Sequence, residues 1–442
     1  MTSGDTAPGV HADAAGWAGH PRGLSTLFFT EMWERFSYYG MRAFLILYMV
    51  HALGFDDKHA GAVYGTYTGS VWFAAIFGGI IADRWLGQYR SVLLGGIIIA
   101  LGHFTLAFKA LPLFYTGLSL IVIGTGLLKP NVSTLVGSLY EQGDARRDAG
   151  FSIFYMGINL GAFIGPLVAG YFAQKVDWHL GFACAGVGMT LGLIQYVLGR
   201  ARLAPALARL AAQPKLASVG AADPAPRGFT TAEWNRIAAV VVFFLAASLF
   251  WAAYEQAGST LNLFADRYTR TEVLGFSFPS SWFVSVQAGF VILLAPVFAW
   301  LWVWLGPREP SSPAKFAMAL LFAALAFLLL VPAGVIAQAG VKVSPLWLVG
   351  AYFIEELGEL SLSPVGLSVV TKLAPTRIVG LMMGVWFLSN ALGNKLAGWS
   401  AGFISTMPLA TLFGTTAVVM LGAALVMALL IKPVRNLMGG VH

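Results

Sequence analysis

From Leu24 to near the end of the chain, long runs of apolar residues alternate with short polar breaks. Crossing a hydrocarbon layer of about 30 Å takes about 20 residues of helix. Runs of that length predict twelve spans, at approximately residues 24–50, 59–82, 90–108, 112–139, 148–174, 179–198, 232–262, 281–305, 315–339, 345–372, 378–404 and 409–432. A chain in lipid has to satisfy its own backbone hydrogen bonds, so such runs are expected to be helices. The predicted fold class is an all-α integral membrane protein. The longest polar connection, residues 199–231, is rich in Ala, Pro and Arg and follows the sixth run. It divides the chain into two expected six-helix bundles, 23–198 and 232–433, with the connection as a cytoplasmic linker too polar to form further spans. Residues 1–22 have neither a basic n-region nor a cleavage pattern and are expected to form a disordered tail, with a second tail at 434–442.

Polar residues inside the spans interrupt this pattern, and they do so periodically. In the first run, EMWERFSYYG and the residues just after it put Glu31, Glu34, Arg35, Tyr38 and Arg42 at offsets 0, 3, 4, 7 and 11, one stripe of a helix. A charged side chain at the middle of a membrane helix costs about 2.5–3.5 kcal/mol, so this stripe is expected to face an interior. An intrahelical ladder, Glu31 with Arg35 and Tyr38 with Arg42, is the purely structural reading of the same spacing. The seventh run, FWAAYEQAGSTLN, puts Trp251, Glu255, Ser259 and Asn262 on one face of a continuous helix. The tenth contains Glu355, Glu356 and Glu359, the fourth Lys129 and the fifth Asn159.

Composition agrees with the pattern: 58% of the 442 residues are hydrophobic and 11% charged, against about 25% charged in soluble domains. Cys184 stands alone, which excludes an internal disulfide and cysteine-based metal or redox sites. The net charge of +7 is a matter of loop placement. With a cytoplasmic N-terminus the inner segments hold seventeen Lys and Arg and the outer loops six, so both termini are expected inside, in the cell inner membrane. This asymmetry accounts for the basic charge without a nucleic-acid partner. Four bases remain within the spans: Arg35, Arg42, Lys129 and Lys395. Lys395 and Asn394 are expected to be structural, with Lys395 pairing to Glu355, Glu356 or a backbone carbonyl. His103 and His179, near span ends, are expected to anchor at the membrane interface.

A cationic pole (Arg35, Arg42, Lys129) and an anionic one (Glu359, with Glu255 or Glu356) suit a small dipolar ligand, an amino acid or a short peptide, with Tyr38, Trp251 and Trp386 as apolar walls. Six intramembrane carboxylates face four bases, so some carboxylates are left to bind protons. No nucleophile–base pair, metal-ligand cluster or phosphate loop stands out, and neither an enzyme nor a cofactor is expected.

These segments resemble a known family. EMWERFSYYG is similar to the ExxERFxYYG signature of the proton-coupled oligopeptide transporters of the major facilitator superfamily, and FYMGINLGAFIGP, FWAAYEQAGST, GELSLSPVGLSVVTKLAP and MMGVWFLSN resemble their companion motifs, in order from about Leu24 to Pro433. GGIIADRWLGQYR resembles the superfamily's loop signature, where Asp83 and Arg84 are expected to cap helices and latch loops. The resemblance implies a symporter, expected to be monomeric, that imports di- and tripeptides with protons. It implies that Arg42, Lys129 and Glu255 form the proton-sensitive cluster and that Glu359 with Asn159 receives the peptide amino end. It further implies that Glu31, Glu34 and Arg35 couple the proton to gating, and that Trp251 and Trp386 line side-chain pockets, with Ser363 counted among the substrate-binding residues. Two positions depart from the family. Trp72 stands where many relatives have a tyrosine, and VSVQAGF in the eighth span carries Gln287 at the asparagine position and lacks the proline. Two alternatives remain open: a transporter of the same fold carrying an anion such as nitrate, and a peptide sensor that does not transport.

Overall fold

The computed structural model of the chain describes residues 16–141, 143–212, 228–375 and 378–439. Twelve helices among them, 19 to 29 residues long, carry the fold. Six precede the linker: α1 (Gly23–His51), α2 (Asp57–Ile81), α3 (Gln88–Leu106), α4 (Leu111–Ser138), α5 (Arg147–Tyr171) and α6 (Trp178–Leu198). Six follow it: α8 (Thr231–Tyr254), α10 (Phe283–Leu305), α11 (Ser312–Gln338), α12 (Leu346–Leu373), α13 (Val379–Ala401) and α14 (Leu409–Leu429). Between the two groups lies the short α7 (Ala204–Ala212), and α15 (Ile431–Met438) closes the described chain. Among the described residues nine helices are long and apolar enough to cross a membrane. The other three long ones, α1, α12 and α13, are the helices whose runs are diluted by Glu31, Glu34, Arg35 and Arg42, by the three α12 glutamates, and by Ser389, Asn390, Asn394 and Lys395. The helices least suited to lipid are thus those carrying the polar face.

Within the first group α1 packs on α5 and α6, and α3 on α4 and α6. Within the second α11 packs on α12 and α14, and α8 on α13. The groups meet chiefly where α2 lies along α13 and α5 along α10. The α2–α13 seam is close enough that a Cβ on Gly61 would lie 2.2 Å from the Gly398 carbonyl oxygen, so the two backbones touch. Pro130, Pro166, Pro296, Pro332 and Pro364 all sit inside helices, where each removes a backbone donor.

One sequence expectation needs correction, and two segments need more detail. The seventh run is not one helix over 232–262. It ends as α8 at Tyr254, passes through a 3₁₀ turn at Glu255–Gly258, and resumes as α9 (Thr260–Tyr268). The connection at 199–231, expected as a linker too polar for further spans, contains the short α7, whose Arg209 donates to the carbonyls of Ser138 (3.3 Å) and Leu139 (2.7 Å), occupying acceptors that the end of α4 leaves open. Part of the expected C-terminal tail is likewise the helix α15. Residues 1–15 of the N-terminal tail lie outside the described residues; Trp17–Gly19 forms a single 3₁₀ turn.

A short antiparallel pair, β1 (Glu272–Val273) and β2 (Phe276–Ser277), links α9 to α10. It lies at the end of the molecule where α1 gives way to α2, and most hydrogen bonds described between the two helix groups cluster there or in the middle. Arg267 grips Asp57 through both guanidinium nitrogens (2.8 and 2.5 Å), and Ser405 donates to the same carboxylate. His51 meets Asp266 at 2.7 Å, Gln174 donates to Ser280 at 2.8 Å, and Lys175 donates to Ser277 at 3.0 Å.

Candidate functional site

The first-span stripe is buried throughout. Glu31, Glu34, Arg35, Tyr38 and Arg42 are each at most 6% exposed, so no charge meets lipid. The ladder expected from spacing is only partly present. The Arg35 guanidinium takes Glu34 as a two-point partner, with one contact at 2.6 Å, and meets Glu31 more loosely at 3.4 Å. It also lies 4.9 Å above the Tyr38 ring. Arg42 does not pair with Tyr38. It crosses to the other helix group and forms an ion pair with Glu255, while its Nε donates to the Tyr64 hydroxyl at 2.6 Å.

The break in the seventh run explains how Glu255 gets there. At the start of the 3₁₀ turn the carboxylate leaves the α8 face and turns toward α1, and Gly258 fits beneath Tyr64, where a Cβ would come within 1.9 Å of the hydroxyl oxygen. The break also corrects the predicted single face. Ser259 donates to the Ala397 carbonyl (3.0 Å) and Asn262 to the Ala43 carbonyl (2.6 Å), so both serve the junction between helices. Trp251 packs edge-on to Tyr254 with centroids 5.4 Å apart.

A cavity between the groups is lined by Tyr39, Arg42, Asn159, Tyr254, Glu255 and Gln287, among others. Asn159 donates to the Tyr155 carbonyl one turn back (3.0 Å), and Gln287 donates to Glu355 at 3.1 Å. Tyr254, at the end of α8, donates to Glu356 of α12 at 2.7 Å. Glu31, Glu355, Glu356 and Glu359 each keep one buried oxygen that accepts no hydrogen bond among the described residues. Such an oxygen can take a proton or an ammonium N–H without displacing an existing partner. Ser363 follows Glu359 by one turn. Trp386 is 5% exposed, and its ring lies on Gly366, where a Cβ would clash at 2.1 Å; it is packed between α12 and α13.

Of the residues expected to form one cluster, Arg42 and Glu255 are in direct contact, and Lys129 interacts with Glu255 only through space. Lys129 forms no ion pair among the described residues. Its Nζ stands 3.7 Å above the Trp72 ring, which stacks on Phe387 of α13 with centroids 6.1 Å apart and planes 20° apart. Lys395 does not reach Glu355 or Glu356; it is exposed and donates to Thr66 at 2.5 Å. His103 is not an interfacial anchor, since it is fully buried with neither ring nitrogen hydrogen-bonded among the described residues, whereas His179 contacts Asp177 and Tyr48 at the start of α6. Tyr64 and Tyr254 were not legible as site residues, because a tyrosine in an apolar run reads as a wall until its hydroxyl is seen on a charged partner.

Twelve long helices in two groups of six, with Arg42 and Glu255 paired across the cavity between them, define a helical membrane transporter of the major facilitator type. Comparison with known sequences narrows the class: residues 89–205 and 228–419 match the POT family. The chain belongs to that family. It is 40% identical to "Peptide transporter YePEPT" of Yersinia enterocolitica, covering 95% of this chain and 96% of the relative. It is 34% identical to a "Di-/tripeptide transporter" of Lactococcus lactis subsp. cremoris, covering 96% and 98%. The crystal structure of a peptide transporter POT in complex with sulfate superposes with a TM-score of 0.87 at 41% identity, covering 96% of this chain and 97% of that one.

Proposed function

We propose that this protein is a proton-coupled symporter that carries di- and tripeptides across the inner membrane by alternating access. The observation that carries the reading is the buried Arg42–Glu255 ion pair, which joins the two helix groups at the wall of a shared cavity. Protonating Glu255 removes the charge that holds Arg42, and the freed guanidinium then has its donor fork available for a peptide carboxylate. Glu359, together with Asn159, takes the peptide ammonium, Glu359 through its free oxygen. Glu31, Glu34 and Arg35 form the second proton-responsive group, and Tyr38, Trp251, Gln287, Ser363 and Trp386 shape the side-chain pockets. The halves 23–198 and 232–433 are the moving bodies and 199–231 is their tether, in a monomer with both termini cytoplasmic. In this orientation the Asp57–Arg267 and His51–Asp266 ties lie on the outer side. Support comes from the family, from relatives described as peptide transporters, and from charged groups of both signs around one space.

The test is uptake of labelled dialanine into proteoliposomes under an inside-negative, outside-acid gradient. Accumulation that collapses with a protonophore supports symport. Saturable binding with no accumulation makes the protein a sensor, and uptake of nitrate in preference to dialanine makes it an anion carrier; either result rejects the proposal.

A further inference from the structure

The departure at Trp72 has a structural counterpart. Lys129 lies on α4, Trp72 on α2 and Phe387 on α13, so an ammonium, an indole and a phenyl ring are layered across the boundary between the helix groups. A cation on the face of an indole, removed from bulk water, gains more than one at an exposed site. Trp72 stacks on Phe387 further along the seam where α2 meets α13, beyond Gly61, Gly65 and Gly69, which let the backbones touch. An ammonium has three donors and a compact charge. The ring engages one side of it, and the other sides stay available to an acceptor. Arg42, by contrast, already holds a carboxylate and a tyrosine oxygen. Of the two bases, Lys129 is the one in no direct ion pair among the described residues: Glu31, Glu34 and Glu255 act on it only through space, and its ammonium is held by the ring.

We propose that Trp72 is a positioning residue for carboxylate recognition: its indole face fixes the Lys129 ammonium in the inter-bundle space, braced by Phe387, so that the carboxyl end of the substrate meets an aimed cation. This rests on the peptide reading above and adds to it the group that replaces the tyrosine of relatives. Because the stack includes one ring from each half, carboxylate capture at Lys129 is linked to the α2–α13 seam.

The experiment compares dialanine with its C-terminal amide as competitors of labelled dipeptide in proteoliposomes bearing wild-type protein, Trp72→Phe, Trp72→Leu, Lys129→Gln and the Trp72→Leu/Lys129→Gln double variant. A general disturbance of packing weakens acid and amide alike, whereas loss of positioning lowers the acid-over-amide preference. The preference is expected to fall about tenfold in Trp72→Leu and two- to threefold in Trp72→Phe, which keeps a weaker aromatic face. The double variant is expected to equal Lys129→Gln alone. An unchanged preference in Trp72→Leu, or a further loss in the double variant beyond Lys129→Gln, overturns the proposal. If Trp72→Leu cannot be recovered folded, Trp72→Phe decides: a preference equal to wild type overturns it. Absence of dialanine binding to the wild-type protein overturns the peptide reading and this proposal together, while intact binding with an unmoved preference removes this one alone.

Discussion

Arg35 and Arg42 stand seven residues apart on one helix and are neutralised in different ways. Arg35 is held within its own helix by Glu34 and Glu31, and Arg42 is held by Glu255 from the other half. Removing one member of a buried pair leaves an uncompensated charge, at a cost of about 3–5 kcal/mol. Arg42→Ala is therefore expected to lower thermal stability more than the Arg42→Ala/Glu255→Ala double variant, a comparison made by melting both in detergent. Glu255→Gln removes the charge and keeps the shape. It is expected to retain peptide exchange between two equilibrated sides and to lose proton-driven accumulation; equal loss of both assigns Glu255 a structural role only. The fit around this pair gives a sharper test. Gly258→Ala places a methyl 1.9 Å from the Tyr64 hydroxyl oxygen, so it is expected to reduce uptake severalfold, with partial recovery in Gly258→Ala/Tyr64→Phe, where the hydroxyl is gone. The first-span stripe was legible in the sequence because helical spacing alone puts five polar residues on one face. The pairing of Glu34 with Arg35 was not, since neighbours in sequence point apart on an ideal helix and only the rotamers bring them together. Arg42 and Glu255, 213 positions apart, were joined at that stage by family resemblance.

At the scale of elements, run length and loop chemistry located eleven of the twelve long helices to within a few residues, while the interruption at Glu255–Gly258, which ends the seventh eight residues early, left no clear mark. EQAG contains no proline, and its single glycine is one of many in the chain. The turn is held by tertiary contacts, namely Tyr64 against Gly258 and the bonds from Ser259 and Asn262 to α13 and α1. The small-residue seam of α2 and α13 is a second feature that sequence cannot assign, because glycines four apart record close packing without naming the partner. Here the partner lies in the other half. Gly61→Val is thus expected to force the seam apart at the α1–α2 end. Spin labels on Lys58 and Phe403 are expected to report a longer or broader distance than in the wild type, and an unchanged distribution would mean that the seam does not govern closure at that end.

For the whole molecule, the ties described between the halves fix one end, and transport requires that they open. Asp57 and Arg267 make a two-point contact that Ser405 joins, and His51–Asp266 lies beside it. The partly exposed His51–Asp266 pair contributes about 1 kcal/mol or less, and the two-point Arg267 contact on the buried Asp57 carboxylate contributes more, so together they bias a conformational equilibrium toward closure at this end. The driving force has to exceed that bias. One proton moving down 100 mV supplies about 2.3 kcal/mol, which sustains roughly a fiftyfold gradient of a peptide without net charge, and each unit of pH difference multiplies this by about ten. Arg267→Ala weakens the tie in both directions of the cycle and leaves the proton and the peptide sites intact. Its expected effect is on rate: uptake changes severalfold while the final accumulation ratio at a fixed gradient stays as in the wild type. A plateau that falls in step with the rate would show that the tie takes part in coupling, and a wild-type plateau well above fiftyfold at 100 mV without a pH difference would require more than one proton per peptide.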